Sequence, residues 1–322
     1  AARGPLAGLA NHGKRVYLDA STPGTPRYMC EKMHDCLAIV HALGPPTLFI
    51  THTCNTDLIR AELRPGENPF DRADLLARAY ANEYDRLLDL IFKEGALGEC
   101  EAYASVLEYQ KCNNPHTHTV VWLKNRLDTP EAIDAVIRAE LPDPKKNPVL
   151  FDLVLKHNVH NPCGEHRTAG VPNPCMQSMR HTDCHHCDKY YPKPFANATH
   201  FVDDEVAPRY RRRQGPTAVK VQHIAGGRTV NLTIDNRWIV PYNPMLTRDS
   251  RAHVNVEVCH SRFACIYLFS YVHKGPDKAH AKLEAVGAVP RPPRRQFVNK
   301  QAPQRRRRAS PARRGRGRGA RG

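Results

Sequence analysis

The stretch that decides the fold is EYQKCNNPHTHTVVWL, from Glu108 to Leu123. It predicts a β-hairpin, because two runs of strand-forming residues flank the turn-rich segment CNNP. Residues two apart in a strand project from the same face. His116 and His118 therefore share one face of the second strand. Glu108 and Gln110 likewise share one face of the first strand.

The histidine pair predicts a metal site if Glu108 and Gln110 lie on the same face of the hairpin. Two imidazoles and one oxygen ligand suit a divalent cation such as Mg²⁺ or Mn²⁺ and leave positions open for a substrate. A His-x-His pair by itself favours the alternative of two surface histidines on an edge strand. The neighbouring Glu/Gln pair, and a pair of tyrosines about 150 residues later, favour the metal site.

The tyrosine pair lies in SRFACIYLFSYVHKG, residues 261–275, which predicts a helix with a serine cap and a glycine terminator. Tyr267 and Tyr271 are four residues apart, so they share one face of that helix. One interpretation is that both are core aromatics with satisfied hydroxyl groups. The functional interpretation is that the phenols are nucleophiles at the metal site. A free phenol has a pKa of about 10 and is therefore a poor nucleophile at neutral pH. A cation that polarises the phosphate makes the phosphorus easier for such a phenol to attack.

The segments around the hairpin predict a mixed chain. Residues 47–54, TLFITHTC, alternate as a strand, and ADLLARAYANEYDRLLDLIF has apolar residues at helical spacing with Gly95 as its stop. Thr129 and Pro130 are a good cap and first-turn residue for a helix through PEAIDAVIRAEL. Later strands are predicted for TVNLTIDNRWIV and AHVNVEVC. The predicted class is α+β, with a central, mainly antiparallel sheet flanked by helices.

Charge divides the chain into a nearly neutral body and a basic tail. The 322 residues carry a formal net charge of +16, and 13 positive charges with no acid lie in residues 291–322. The first 290 residues therefore carry a net charge of only +3. The Arg-rich tail cannot bury a core, so we expect it to be disordered and to bind nucleic-acid phosphates without reading sequence. The alternative is a solvated tail, or a read-through of degenerate sequence.

The middle of the chain, residues 160–215, is rich in Cys, His, Pro and Asn. This composition predicts an insert that cannot fold on its own and needs a cross-link such as a bound metal ion. We expect an intracellular chain, in which the 11 cysteines are metal ligands or free thiols rather than disulfides. Four Cys or His ligands would hold a structural Zn²⁺. The candidates are Cys163, Cys175, Cys184, Cys187 and His160. The alternative is a reduced, loosely ordered loop, because the first two cysteines are too widely spaced for a standard zinc finger.

The sequence predicts a nucleic acid rather than a membrane as the partner. No apolar stretch approaches the length that crosses a bilayer. The segment PRYRRRQG is a second basic patch that would track single-stranded DNA, or else an exposed linker. Its basic residues are Arg209, Arg211, Arg212 and Arg213. A basic tail also acts as a nuclear-import signal, so we expect the protein in the nucleus. The chain does not begin with Met, so we expect it to be a fragment or a partial gene model.

Seven stretches give the sequence a resemblance to one family. They are GKRVYLDASTPGTPRYM, TLFITHTCN, PFDRADLLARAY, EYQKCNNPHTHTVVWL, DNRWIVPYNPML, AHVNVEVCHS and YLFSYVHKG, in family order over about residues 13–277. The chain resembles the Helitron helicase-like N-terminal domain, the replication-initiator (Rep) nuclease of the HUH class found in rolling-circle transposons. Together these stretches are far more specific than either residue pair alone.

The resemblance implies an HUH-like fold and a set of metal ligands. The paired histidines of the family fall on His116 and His118. Its third ligand is an acid or amide on the neighbouring strand, for which Gln110 fits best and Glu108 is the reserve. In the insert, the family's cysteines align with Cys163, Cys175 and Cys187. His160 is then a fourth zinc ligand, and Cys184 is an extra ligand or a substitute.

The resemblance also implies the reaction. The two family tyrosines fall on Tyr267 and Tyr271. A tyrosine attacks a phosphate of a single DNA strand, a 5′-phosphotyrosine bond forms and a 3′-hydroxyl is released, so that the covalent link stores the bond for strand transfer. Two tyrosines would allow two such events in sequence. Lys274, which follows them, is expected to contact the nucleic acid.

These features divide the chain into five segments. We expect a lead segment (1–45), the first half of the nuclease core (46–159), the Cys/His-rich insert (160–215), the second half of the core with the tyrosine helix (216–277) and the disordered tail (278–322). No GxxxxGK[ST] phosphate loop is present, so we expect neither ATP hydrolysis nor the helicase module of full-length relatives.

The sequence departs from the family pattern in three places, which keep two alternatives open. Thr117 replaces an apolar residue, TCNP followed by Trp becomes TCNTDLIR, and the match stops after Gly275. The loss of family sequence at that point favours a DNA-binding remnant of a transposon protein that has lost catalysis. A metal-dependent hydrolase with water as its nucleophile would use the histidines without the tyrosines. The sequence does not indicate an oligomeric state.

Overall fold

A computed structural model of the chain describes residues 19, 21–22, 25–109, 114–160, 187, 189–202, 208–215, 219–225 and 228–259. The chain divides into two units, Ala1–Lys278 and Ala279–Gly322, and every described residue belongs to the first. In chain order the elements are α1 (Pro26–Leu43), β1 (Leu48–Thr53), α2 (Ala73–Phe92), β2 (Cys100–Tyr109), β3 (Pro115–Leu123), α3 (Pro130–Val136), α4 (Pro148–His157), β4 (Val219–Ala225), β5 (Arg228–Ile234), α5 (Pro244–Ser250) and β6 (Val254–Val258). Short 3₁₀ helices lie at Thr56–Glu62, Pro69–Asp71 and Asn236–Trp238.

The central sheet has four antiparallel strands in the order β2-β3-β1-β6. β3 lies inside the sheet and is buried along its whole length. β6 forms one edge, and its Val254, Val256 and Val258 are buried while the residues between them are partly exposed. This alternation is the one that the sequence predicts, because successive side chains of a strand point to opposite faces.

Helices cover both faces of the sheet. On one face, which we call the α2 side, apolar residues of α2 pack against the strands; the cluster includes Leu48, Ile50, Leu87, Leu90, Ile91 and Val121. On the other face, the α1 side, a second cluster contains Cys36, Phe49, Val120, Trp122 and Cys259. Because both faces of β3 meet helices, even the polar side chains of this strand are removed from water.

The start of α3 is set by its local sequence, and its end is set by a contact with a distant segment. The Thr129 hydroxyl accepts a hydrogen bond from the amide of Ala132 at 3.2 Å, which confirms the predicted Thr-Pro helix start. The helix ends at Val136, earlier than PEAIDAVIRAEL indicates. The reason is tertiary, because Arg138 exchanges two main-chain hydrogen bonds of 2.8 Å with Tyr242.

The predicted α+β class is confirmed, and the strand near 47–54, the long helix, the hairpin and the strand in AHVNVEVC are all present. TVNLTIDNRWIV differs from its prediction, because β5 ends at Ile234 and pairs only with β4 in a separate two-stranded sheet. The tyrosine helix (261–275), the tail and most of the insert lie outside the described residues. Within the described ranges, no cysteine forms a disulfide and no helix is long and apolar enough to cross a membrane.

Candidate metal centre

Strands β1 and β3 bring two matching triplets side by side. The triplet THT, residues 51–53, pairs with HTH, residues 116–118, so that Thr51 is the cross-strand partner of His118 and Thr53 that of His116. Strand alternation puts both threonines and both histidines on the α1 side of the sheet, and the middle residue of each triplet on the α2 side. The ring of His118 accordingly lies 5.5 Å from the ring of Phe49, centroid to centroid.

A threonine hydroxyl contacts each of the two imidazoles. Oγ1 of Thr53 lies 2.7 Å from Nδ1 of His116, and Oγ1 of Thr51 lies 3.2 Å from Nδ1 of His118. The centroids of the two rings are 4.7 Å apart, and the ring planes are inclined by 76°. Each ring thus has its Nδ1 atom in contact with a threonine hydroxyl of β1.

Glu108 of β2 completes the cluster. It is the cross-strand partner of His116, and its Oε1 lies 3.6 Å from Nε2 of His118. One ligand atom from each of the three side chains lies within 4.8 Å of the others, the single such group of three among the described residues. Two metal–ligand bonds of about 2.1 Å each would span the 3.6 Å gap between carboxylate and imidazole.

Burial keeps His116 in the form that binds metals. Its side chain is 6% exposed, and this burial, with smaller contributions from His118, His253 and His52, lowers the pKa of His116 to about 3. The imidazole is therefore neutral at physiological pH and offers a lone pair to a cation. Two imidazoles with one carboxylate fit a divalent cation, and this donor set alone does not select which one.

Sequence reasoning missed three residues beside this cluster: Thr51, Thr53 and His253. The THT triplet carries a signal, because it mirrors HTH, but only the register between β1 and β3 shows that the two triplets meet. His253, directly before β6, donates from Nδ1 to the main-chain carbonyl of His157 at 2.7 Å. The main-chain carbonyl of His253 accepts a hydrogen bond from the amide of Thr53 at 3.0 Å, so His253 lies next to the end of β1.

The structure brings three of the predicted site residues together, namely His116, His118 and Glu108. The remaining ones, Gln110, Tyr267, Tyr271 and Lys274, lie outside the described residues. The preference for Gln110 over Glu108 as third ligand stays a prediction, and so do the roles of both tyrosines. Among the described residues, Glu108 is the one whose carboxylate lies beside both imidazoles.

Two of the five predicted zinc ligands are described, and they are in contact. Sγ of Cys187 lies 3.3 Å from Nε2 of His160 and accepts a hydrogen bond from the amide of Lys189, also at 3.3 Å. The ring of Tyr191 stacks on His160 with centroids 4.3 Å apart. Burial lowers the pKa of His160 to about 4, so this imidazole is neutral as well. The other three candidates, Cys163, Cys175 and Cys184, lie outside the described residues.

Arg212 corrects the prediction of an exposed basic patch. It is only 3% exposed, and its guanidinium donates to the carbonyls of Ala139, Asn236 and Ile239. Burial also lowers its pKa, although the group keeps its hydrogen-bonding role. A guanidinium enclosed by three carbonyls joins separate segments of the chain and is out of reach of DNA, so the prediction is wrong for this residue.

The other three arginines of the segment remain near the surface. Nη1 of Arg211 lies 2.9 Å from a carboxylate oxygen of Asp134, and Nη2 of Arg213 lies 2.6 Å from one of Glu140. Arg209 is exposed. Because its side chain is exposed, Arg209 stays a candidate for contact with a phosphate.

Comparison with known proteins bears on the family. No curated protein matches the chain. The family model described as Helitron helicase-like domain at N-terminus matches residues 6–121, a range that contains Glu108, His116 and His118. The match also spans β1 with its THT triplet and most of β3. Residues 6–121 of this chain are therefore a Helitron helicase-like N-terminal domain.

Proposed function

We propose that the chain is a metal-dependent tyrosine nuclease that nicks single-stranded DNA and transfers the cut strand in rolling-circle transposition. The observation that carries the proposal is the convergence of Glu108, His116 and His118 inside the segment that matches the Helitron domain. Two buried imidazoles and a carboxylate on adjacent strands suit a divalent cation with positions left for phosphate oxygens.

The proposed cation is Mg²⁺ or Mn²⁺, which when bound would polarise the scissile phosphate and orient it for in-line attack. His116 and His118 would hold it from the buried side of the sheet. Glu108 keeps 21% of its side chain exposed, against 5% for His118, so its carboxylate offers a negative charge where solvent reaches the cluster. Gln110 would add an amide oxygen to this set.

Tyr267 or Tyr271 supplies the nucleophile in the proposed reaction. The phenol oxygen forms a bond to phosphorus, the bond from phosphorus to the 3′ oxygen breaks, the phenol gives up its proton and the 3′ oxygen takes one up. The products are a 5′-phosphotyrosine and a 3′-hydroxyl. Attack by another 3′-hydroxyl reverses the step and joins a new strand. The energy of the phosphodiester is kept in the covalent link, so no ATP is needed.

Other parts of the chain would serve this reaction. Arg209, Lys274 and the Arg-rich tail would bind the DNA backbone, since phosphates attract such charges without regard to sequence. Cys163, Cys175, Cys184, Cys187 and His160 are the residues from which a structural Zn²⁺ would take four ligands. The contact between Cys187 and His160 supports this assignment. The substrate class and the basic tail together favour the nucleus as the place of action.

The test is a covalent adduct assay with the full chain, single-stranded DNA and Mn²⁺ on a denaturing protein gel. The label belongs at the 3′ end of the DNA, because the fragment that begins with the 5′-phosphate is the one that becomes attached. We expect a labelled protein band that EDTA abolishes. Tyr267→Phe or Tyr271→Phe weakens the band according to which phenol attacks first, and the double variant loses it.

Two other outcomes would overturn the proposal. DNA that is retarded on a native gel without any covalent band identifies a DNA-binding remnant. DNA that is cleaved without an adduct, and equally by the double tyrosine variant, identifies a hydrolase that uses water. His116→Ala separates these two outcomes, because it abolishes cleavage by a hydrolase and leaves binding by a remnant unchanged.

A further inference from the structure

We propose that Thr51 and Thr53 are positioning residues that fix the tautomer of the two imidazoles. Each hydroxyl would hold the hydrogen of its ring on Nδ1, so that Nε2 is the metal-binding atom. The inference rests on the proposed function for the presence of a cation. It adds two residues of β1 that would orient the histidine ligands, whereas the proposed ligands themselves lie on β2 and β3.

The geometry of the two contacts is the same. Each hydroxyl belongs to the cross-strand partner of the histidine that it contacts, and both contacts are made at Nδ1, at 2.7 Å for Thr53 and 3.2 Å for Thr51. The pairing of THT with HTH generates this repetition, because residues two apart in a strand project from the same face of the sheet. Two independent contacts of one kind on one face indicate a shared purpose.

A neutral imidazole carries one N–H and one lone pair, so the partner of one nitrogen decides the role of the other. When Nδ1 donates its hydrogen to a threonine oxygen, the lone pair is at Nε2. For His118 this is the atom 3.6 Å from the Glu108 carboxylate. The opposite arrangement would put a hydrogen on Nε2, where it would block a metal ion. A cation held by Glu108 and the rings therefore requires threonine to be the acceptor.

Threonine suits this task better than a more mobile hydroxyl. Its branched Cβ restricts χ1, so the backbone of β1 sets the position of Oγ1. The two rings are 6% and 4% exposed, which leaves little room for water to replace a lost hydroxyl. Partners of this kind, which orient a metal ligand without touching the metal, change metal affinity by about 10–100-fold when they are removed.

The experiment measures Mn²⁺ affinity by electron paramagnetic resonance of the unbound ion, with the full chain and no DNA. We expect Thr51→Val and Thr53→Val each to weaken Mn²⁺ binding about 10–100-fold. Valine keeps the branched shape and removes only the hydroxyl. Thr51→Ser and Thr53→Ser keep the hydroxyl and should therefore bind Mn²⁺ nearly as tightly as the wild type.

Thr117→Val is the matched control, because the same change is made on the same sheet but on the α2 side. The Thr117 hydroxyl contacts Tyr80 rather than a metal ligand. We expect this variant to lose stability and to keep the wild-type affinity for Mn²⁺. A second readout needs no variant: ¹⁵N spectra of histidine in the wild-type chain with Mg²⁺ should show two metal-responsive rings with hydrogen on Nδ1.

The outcomes separate this inference from the proposed function. If the wild type binds Mn²⁺ and His116→Ala does not, while both valine variants bind as wild type, the threonine inference is wrong and the metal centre stands. Metal-responsive rings with hydrogen on Nε2 lead to the same conclusion, even if a valine variant fails to fold. If the wild type binds no Mn²⁺, the proposed centre is wrong and the inference is overturned with it.

Discussion

The hydroxyl of Tyr80 lies 2.8 Å from Oγ1 of Thr117, on the face of β3 opposite to the two site histidines. The same hydroxyl donates to the main-chain carbonyl of His52 at 3.0 Å. One phenol of α2 thus joins the middle residues of the THT and HTH triplets. Because a slip of one residue in register would move every side chain to the other face, this contact supports the pairing on which the candidate metal centre depends.

The first prediction concerns this phenol. Tyr80→Phe removes the hydroxyl from a side chain that is 3% exposed and leaves two buried polar groups short of a partner. We expect the free energy of unfolding to fall by about 1–2 kcal/mol. Urea unfolding followed by circular dichroism measures the change, with a lower midpoint and an unchanged slope.

Tyr190→Phe is the control for that experiment. It removes the same atom from a ring that is 74% exposed, where water replaces any lost hydrogen bond. We expect a change within about 0.5 kcal/mol. Equal losses from the two substitutions would mean that the Tyr80 hydroxyl does not stabilise the pairing of β1 with β3.

The histidine pair and its hairpin could be predicted because their signals are local. His116 and His118 share a face through strand periodicity, and CNNP marks the turn, so neither conclusion needs a distant residue. Thr51 and Thr53 could not be predicted in the same way. They reach the histidines only through the register of β1 against β3, and more than 60 residues separate the partners.

The error at Arg212 has the opposite cause. A run of arginines normally lies in solvent, because a buried charge without partners is costly. Here the carbonyls of Ala139, Asn236 and Ile239 supply the partners, and they come from two segments distant in sequence. No local pattern around residue 212 shows that these carbonyls converge, so composition alone gave the wrong answer.

The second prediction follows from the burial of His157, at the end of α4. Burial and the charges of Lys156 and His253 lower its pKa from 6.5 to about 4, and Asp57 opposes them. As the pH falls, the unfolded chain therefore takes up this proton first. The contribution of the neutral ring to stability is complete above about pH 6.5 and is lost toward pH 4.

His157→Gln should flatten the dependence of stability on pH in this window. Because the His157 ring is only partly buried, solvent screens part of the effect of this shift, and we expect a loss of roughly 1–2 kcal/mol at pH 4. Urea unfolding at pH 7, 5.5 and 4 measures the effect for the variant and the wild type. His34→Gln, at an exposed position of α1, is the control and should leave the pH profile unchanged. Parallel profiles for wild type and His157→Gln would contradict the assignment.

The third prediction distinguishes the two kinds of arginine in PRYRRRQG. Arg212→Met leaves three carbonyls without their donor, so we expect a loss of about 3 kcal/mol in stability. Arg209→Met changes an exposed side chain and should cost less than about 0.5 kcal/mol. Thermal unfolding of both variants measures the difference. A comparable loss from both would mean that the Arg212 contacts contribute nothing specific.

Binding of single-stranded DNA completes the comparison at a temperature where both variants are folded. We expect Arg209→Met to weaken binding and to lower its salt dependence, because one phosphate contact is lost. Arg212→Met should bind as the wild type does. The reverse pattern would show that the buried guanidinium contributes to the DNA surface after all.

The last prediction concerns the contact between Cys187 and His160. A thiol sulfur 3.3 Å from an imidazole nitrogen suits an ordinary hydrogen bond and also two ligands of one zinc ion. The second assignment requires bound metal, and the first does not. We expect the purified chain to carry about one zinc ion by elemental mass spectrometry, and Cys187→Ser to lose it together with thermal stability.

Cys30→Ser is the matched control, since it removes a partly buried thiol from α1 and should keep both the zinc and the melting temperature. Addition of EDTA to the wild type should reproduce the melting temperature of Cys187→Ser and should not affect that variant further. A chain that lacks zinc and melts at the same temperature with or without EDTA would contradict the assignment. The two side chains would then form a thiol–imidazole hydrogen bond, and the stacking of Tyr191 would hold the His160 ring in place without a metal.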